Sequence, residues 1–133
     1  MKAEQTAELV KLRLEQARST LNDARVLADG GGTPKSIINR AYYAMFYAAL
    51  ALLQSVGKAA SKHTGVIAVF DMEFVNKGIF PKDMSRNLHR AFDRRQTADY
   101  QPVRPATPDE AEEYINKGRQ FVAAVEEYFR SRT

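Results

Sequence analysis

The fold is decided by one stretch, Ser36-Ile-Ile-Asn-Arg-Ala-Tyr-Tyr-Ala-Met-Phe-Tyr-Ala-Ala-Leu-Ala-Leu-Leu53, whose apolar residues recur at the helical period. A helix that is apolar over most of its surface is typical of the centre of a protein core. One narrow stripe is different, because at about 100° per residue a few larger polar and aromatic side chains share one face. They are Asn39, Arg40, Tyr43, Tyr47 and Gln54. We therefore expect a central helix whose polar stripe lines a cleft or an interface.

Turn and cap signals on both sides of this stretch divide the chain into helices. Gly30-Gly31-Gly32 interrupts a preceding amphipathic segment, and Thr33-Pro34 supplies an N-cap followed by a proline at the first helical position. Asn76-Lys77-Gly78 is a stop signal, Pro81 starts a new helix, and Thr107-Pro108-Asp109-Glu110 reads as a capping box. The expected helices run from 4 to 29, from 34 to 56, from an N-cap at Ser61 to the stop at 76–78, from 81 to 98, and onward from 107–108.

The connections between these helices are short, and no segment shows the alternation of a strand. Long helices joined by short loops favour antiparallel neighbours. The sequence therefore predicts an all-α fold, an antiparallel bundle of four to five helices, as a single domain over residues 1–133.

Composition narrows the functional classes. The chain has no cysteine, which excludes disulfides, thiolate metal sites and a cysteine nucleophile. Its N-terminus is charged and polar without the apolar region of a secretory signal, and no apolar run is long enough for a membrane span. We expect a cytoplasmic protein with no membrane association.

The positive charge is unevenly distributed. The net charge is +4, and residues 82–104 hold six lysines and arginines against three acids. This segment is the part of the chain best suited to a phosphate group or an acidic partner, although a solvated helix face explains it equally well.

The fourth helix carries one arginine on an unexpected side. If Leu88 marks the core-facing side, Arg95 lies within about 60° of it, whereas Arg86, Arg90 and Arg94 lie opposite and are expected in solvent, with at most a weak attraction for phosphate. A guanidinium stays charged, so Arg95 must be paired or must line a polar cleft. Asp99, one turn later, and the stripe of the second helix are the candidate partners.

His63 and His89 are the two histidines of the chain. They lie on different helices without carboxylates at helical spacing, and there is no glycine-rich phosphate loop. We expect no metal and no cofactor.

Four short motifs together resemble the HEPN superfamily (higher eukaryote and prokaryote nucleotide-binding), in particular its small stand-alone prokaryotic members. They are Ser36-Ile-Ile-Asn-Arg-Ala-Tyr-Tyr-Ala, Ser61-Lys-His-Thr-Gly-Val, Gly78-Ile-Phe-Pro and Arg95-Gln-Thr-Ala-Asp-Tyr100. The resemblance covers nearly the whole chain and implies a bundle of about five helices that forms a homodimer. It also implies pairing with a small nucleotidyltransferase as toxin and antitoxin.

Many HEPN proteins are metal-independent ribonucleases, whose active site is an arginine with a histidine four to six residues further on. Here Arg95-Gln96 matches the arginine and its polar neighbour, but Tyr100 stands in the histidine's place. A tyrosine with an ordinary pKa near 10 is a poor general base at neutral pH. Arg95 and Tyr100 are nevertheless the candidate catalytic residues, and Tyr100 is also a candidate for nucleotide modification by the partner.

Three functions stay open at this point. In the first, the protein binds nucleotide or RNA in a dimer cleft and pairs with a nucleotidyltransferase. In the second, it is a metal-independent ribonuclease toxin that uses Arg95 with a histidine from elsewhere, His63. In the third, it is a non-catalytic scaffold. The candidate nucleotide- or RNA-binding residues are Asn39, Arg40, Tyr43, Tyr47, His63, Arg94, Arg95 and Asp99.

Overall fold

The computed structural model describes residues 2–100 and 104–132, with the side chains of residues 98–100 outside that description. These residues form five α-helices, which are α1 (Ala3–Asp29), α2 (Pro34–Ser55), α3 (His63–Phe70), α4 (Lys82–Tyr100) and α5 (Pro108–Arg130). Neither described range contains a β-strand. The expectation of an all-α helical bundle is confirmed.

The central position expected for α2 is confirmed, since it packs against α1, α3, α4 and α5. Its apolar residues are buried almost without exception, and the side chains of Ile38, Met45 and Leu52 are fully enclosed. The stripe from Asn39 to Gln54 is only half-buried. A helix with neighbours on most sides needs apolar residues on most sides, and the half-buried stripe marks the side left open.

The N-caps of α2 and α5 form as the sequence predicts. The Thr33 hydroxyl oxygen accepts a hydrogen bond from the Ser36 N–H at 3.3 Å, and Thr107 does the same for the Glu110 N–H at 3.1 Å. A proline follows each threonine at the first helical turn, where the missing N–H costs nothing.

The third helical segment ends at 76–78 as the sequence predicts, but its start and its pitch differ from the prediction. It begins at His63 with Lys62 in the capping position, so the expected N-cap at Ser61 is wrong. After Phe70 the chain continues as one π-helical segment, Asp71–Val75, in which the Asn76 N–H donates to the Asp71 carbonyl at 2.8 Å. The wider turn places both Phe70 and Phe74 in the core, with ring centroids 6.3 Å apart. Helical periodicity alone does not reveal such a change of pitch.

Helix α5 packs closely on α1 and α2 at a glycine. A Cβ built at Gly118 would lie 3.3 Å from Leu21 Cδ1 and in ordinary contact, 3.5 Å, with the Ala41 carbonyl oxygen, so alanine there requires a shift of a few tenths of an ångström in the Leu21 side chain. None of the helices in the described part of the chain combines the length and apolar content that crossing a bilayer requires.

Candidate functional site

A cleft of about 440 Å³ opens where the end of α1, the first turns of α2 and the C-terminal half of α4 meet. Its wall is largely polar and contains three cationic side chains. The lining residues are Leu27, Lys35, Ser36, Asn39, Arg40 and Arg95. Two residues of the half-buried stripe of α2, Asn39 and Arg40, thus line a cleft, and Arg95 is brought to it from α4.

Arg40 and Arg95 share one aromatic ring. Their guanidinium carbons lie 5.4 and 5.5 Å from the centroid of the Tyr43 ring, and Arg95 Nη1 donates a hydrogen bond to the Tyr43 hydroxyl at 3.2 Å. Neither arginine has an ion pair with a carboxylate among the described side chains. The buried Nε of Arg95 has no hydrogen-bond partner there either. Two positive charges are therefore held close together mainly by aromatic contacts.

His63 lies in the same aromatic cluster, at the first residue of α3. Its ring stacks on Phe46 with centroids 4.3 Å apart and also faces Phe92 of α4 at 6.0 Å. The fully buried Tyr42 places its hydroxyl oxygen 2.6 Å from His63 Nδ1. Arg95 lies over the rings of both Tyr42 and Phe92, so the histidine and this arginine rest on the same two side chains.

The environment keeps His63 neutral. Burial lowers the pKa of the imidazole below its ordinary 6.5, and the charge of Arg95 lowers it further. Burial also raises the pKa of the Tyr42 phenol, so this hydroxyl keeps its proton. We assign the hydroxyl as the donor and Nδ1 as the acceptor, because no other acceptor for Tyr42 lies among the described residues. In this tautomer the ring proton of His63 is on Nε2.

Replacing Tyr42 with phenylalanine is expected to disturb His63 selectively. The half-buried Nδ1 loses its donor, which should reduce the free energy of unfolding by about 1–2 kcal/mol. Nitrogen-15 NMR of the imidazole should show loss of the single Nε2–H tautomer. The buried Tyr114 supplies the control, since Tyr114→Phe removes a hydroxyl elsewhere in the core. An unchanged His63 spectrum in Tyr42→Phe would show that this hydroxyl does not set the tautomer.

Arg94 is not where the sequence analysis places it. Its side chain is 6% exposed and pairs with Glu110 of α5, with Nε and Nη2 at 2.6 and 2.9 Å from the two carboxylate oxygens. Nη2 also donates to the Arg104 carbonyl at 2.9 Å. The expected solvated position is wrong because α5 packs on that side of α4. Arg94 lies outside the cleft and is committed to holding two helices together.

The structure brings together most of the remaining predicted site residues. Asn39, Arg40, Tyr43, His63 and Arg95 surround the cleft and its aromatic cluster, and the Tyr47 ring lies 5.9 Å from that of Tyr43. The predicted roles of Asp99 and Tyr100 fall outside the described side chains.

The aromatic residues that hold His63 were not predicted from the sequence. They are Tyr42, Phe46 and Phe92. The spacing of Tyr42 and Phe46 by one helical turn was the available signal. It could not reveal that a histidine from another helix inserts between them and α4.

Two other features are separate from this cleft. A larger groove of about 1150 Å³ between α1 and α5 is mostly apolar, with Val10, Leu14 and Phe129 in its wall. His89 contacts Asp71 of the π-helical segment, with Nε2 and Oδ2 2.6 Å apart. Within the described residues, no group of three or more histidine, aspartate or glutamate side chains is arranged to hold a metal ion.

Comparison with known proteins places the chain in a family. Residues 10–128 match the HEPN domain. A UPF0332 protein of Thermotoga maritima is 34% identical over 119 residues, which cover 90% of this chain and 89% of that protein. "Putative toxin MJ0605" of Methanocaldococcus jannaschii is 34% identical over 86% of this chain and 84% of that protein. "Putative toxin MJ0142" of the same organism is 33% identical over 71% of this chain and 65% of that protein. The match to the domain spans nearly the whole sequence, and the chain therefore belongs to the HEPN family.

Proposed function

We propose that the protein is the nucleotide- or RNA-binding member of a toxin–antitoxin-like pair and that it binds its ligand in the Arg40–Tyr43–Arg95 cleft. The observation that carries this proposal is the pair of half-buried arginines on one tyrosine ring, without a carboxylate partner among the described side chains. Placing two like charges together is unfavourable unless an anion joins them. Guanidinium groups bind phosphate through paired hydrogen bonds.

The aromatic side chains beside these arginines suit the other half of a nucleotide. Tyr43, Phe46 and Tyr47 are half-buried and contact one another along α2. Exposed aromatic faces stack on unpaired bases, which is how proteins commonly hold single-stranded RNA. Arg40 and the aromatic rings thus lie on one helix, and α4 adds Arg95 beside them.

The names of two relatives support the proposed biological role. Both proteins carry the word toxin in their names, which supports a toxin-like role for this chain. Family resemblance further supports a homodimer, with the cleft between protomers, and a small nucleotidyltransferase as partner. By the family resemblance, Asp99 and Tyr100 stay predicted residues of the site, with Tyr100 as the candidate for nucleotide modification.

RNA binding by the purified full chain tests this proposal. We expect saturable binding of a fluorescently labelled single-stranded RNA in EDTA, weakening as salt is raised because counterions are released. Arg40→Gln should reduce the slope of log affinity against log salt by about 0.7, the contribution of one phosphate contact. Arg119→Gln, at an exposed position of α5, should leave the slope unchanged. If neither RNA nor nucleotides bind, the proposal is wrong.

A second candidate function, metal-independent RNA cleavage, is favoured by one specific contact. His63 and Arg95 rest on the same rings of Tyr42 and Phe92, and the lowered pKa leaves His63 free to accept a proton at pH 7. In this role the imidazole takes the other tautomer, with its proton on Nδ1 and donated to the Tyr42 oxygen, so that Nε2 removes the proton of a 2′-hydroxyl while the arginine stabilises charge on phosphorus. In this mechanism His63 of α3 takes the role of the histidine that other HEPN ribonucleases have where this chain has Tyr100.

Cleavage of mixed single-stranded RNA in EDTA tests the second candidate. His63→Ala should slow cleavage at least about 100-fold, the usual contribution of a general base. The rate should fall as the pH drops through the pKa of His63, which burial and Arg95 lower below the ordinary 6.5, because protonation removes the basic form of the imidazole. His89→Ala is the control, since His89 pairs with Asp71 away from the cleft. Equal rates in the wild type and His63→Ala would exclude this histidine as the base.

A further inference from the structure

We propose that the cleft is a subsite for a terminal phosphate, one that ends a nucleotide or an RNA chain, rather than for an internal phosphodiester. This inference rests on the proposed function and names the chemical class of its ligand. It is carried by the charges and the free hydrogen-bond donors of Ser36, Asn39, Arg40 and Arg95, which line the same cleft.

The charge of the cleft exceeds what an internal phosphate can neutralise. Arg40 and Arg95 line it, and no carboxylate is among its described lining residues. Both guanidinium carbons lie within 5.5 Å of the Tyr43 ring centroid. They are thus at most about 11 Å apart, close to the screening length of about 8–10 Å in physiological salt. A phosphomonoester carries about −1.5 to −2 charges at pH 7, whereas a phosphodiester carries one.

Neutral donors stand beside these charges. The Ser36 hydroxyl oxygen accepts a hydrogen bond from the Thr33 hydroxyl at 2.8 Å, and its own proton has no acceptor among the described residues. The half-buried Asn39 side chain lines the same cleft, where its amide can donate hydrogen bonds. Water satisfies such donors on an open cleft wall until a ligand replaces it. The three free oxygens of a terminal phosphate would satisfy them together with the arginines.

The cleft is also of suitable size and position. Its volume of about 440 Å³ falls in the range of small-ligand sites. Tyr43 contacts both arginines and Tyr47 lies one turn further along α2, so a base attached to the bound phosphate has an aromatic surface nearby. The arrangement accommodates a nucleoside phosphate as well as the first nucleotide of an RNA chain.

The test compares one RNA sequence that carries a 5′-hydroxyl, a 5′-monophosphate or a 5′-triphosphate, bound to the full-length protein at constant salt. We expect the phosphorylated forms to bind at least tenfold more tightly than the hydroxyl form. Arg40→Gln and, independently, Ser36→Ala should reduce this preference, while Arg119→Gln should retain it. Ser36 is exposed, so its substitution leaves the core intact. The preference for the monophosphate should decline between pH 7.5 and pH 5.5, as its second proton (pKa about 6) returns.

Competition separates the two sources of a terminal phosphate. Displacement of the RNA by ATP but not by adenosine would assign the subsite to free nucleotides. Failure of ATP to displace the 5′-phosphorylated RNA would assign it to RNA ends. Equal affinity for 5′-hydroxyl and 5′-phosphorylated RNA would overturn the inference while leaving the proposed function standing. Failure of every RNA and nucleotide to bind would defeat the proposed function itself.

Discussion

Replacing Arg95 with glutamine is expected to weaken RNA binding at least tenfold without unfolding the protein. The substitution removes a charge that rests on Tyr42, Tyr43 and Phe92 and that has no carboxylate partner among the described side chains. A hydrogen bond between a charged group and its ligand contributes about 1.5–3 kcal/mol, which corresponds to a factor of 10 or more in affinity. Fluorescence anisotropy measures the affinity, and circular dichroism checks the fold.

The same variant distinguishes ligand binding from a structural role. The aromatic contacts of a half-buried arginine contribute about 1–2 kcal/mol, so the loss in the free energy of unfolding should stay within that range. Arg119→Gln serves as the control for a general loss of positive charge. If Arg95→Gln binds RNA normally but loses several kcal/mol of stability, Arg95 fixes the helices in place and the protein acts as a scaffold.

The Arg94→Ala substitution is expected to have the opposite effect, with a large loss of stability and little direct effect on the cleft. The change leaves Glu110 without its guanidinium partner and the Arg104 carbonyl without its donor. Breaking a buried ion pair by removing one member costs about 3–5 kcal/mol, and the partial exposure of Glu110 favours the lower end. Urea denaturation should therefore show a loss of about 3 kcal/mol. A loss below about 1 kcal/mol would contradict this account of Arg94.

The pH dependence of this effect has a definite sign. The Arg94 guanidinium lowers the pKa of Glu110 below its ordinary 4.5 in the folded protein. The stabilisation is therefore complete above about pH 4.5 and is lost as the pH falls through the lowered pKa of the folded state. The difference in stability between the wild type and Arg94→Ala should shrink below pH 4. Arg86→Ala, at an exposed pair with Asp83, should show no comparable difference at any pH.

Much of the fold is predictable from local signals. Glycines and prolines mark the helix ends, and two threonine caps form where the sequence places them. The polar stripe of α2, from Asn39 to Gln54, can be recognised in the sequence because the rest of this central helix is apolar. These features depend on residues within one or two helical turns of each other, which is the range over which periodicity is reliable.

The errors arise where tertiary contacts decide. Arg94 lies about 120° from Leu88 around α4 and looks solvated on a helical wheel, but α5 covers that face and supplies Glu110. The Tyr42–His63 hydrogen bond joins residues on two helices. The π-helical segment that follows α3 after Phe70 changes the helical pitch. A helical wheel centred on one apolar face accounts for contacts with one neighbouring helix, whereas a helix in a bundle packs against several helices.

The central claim, that ligand binds in the Arg40–Tyr43–Arg95 cleft, is tested most directly by NMR on the nitrogen-15-labelled protein. Titration with a short 5′-phosphorylated RNA should shift the backbone signals of Asn39, Arg40 and Tyr43 and the side-chain signals of His63 and Arg95. Residues of the groove between α1 and α5, such as Val10 and Phe129, should not shift. Shifts confined to that groove, with the signals of the cleft unchanged, would contradict the account.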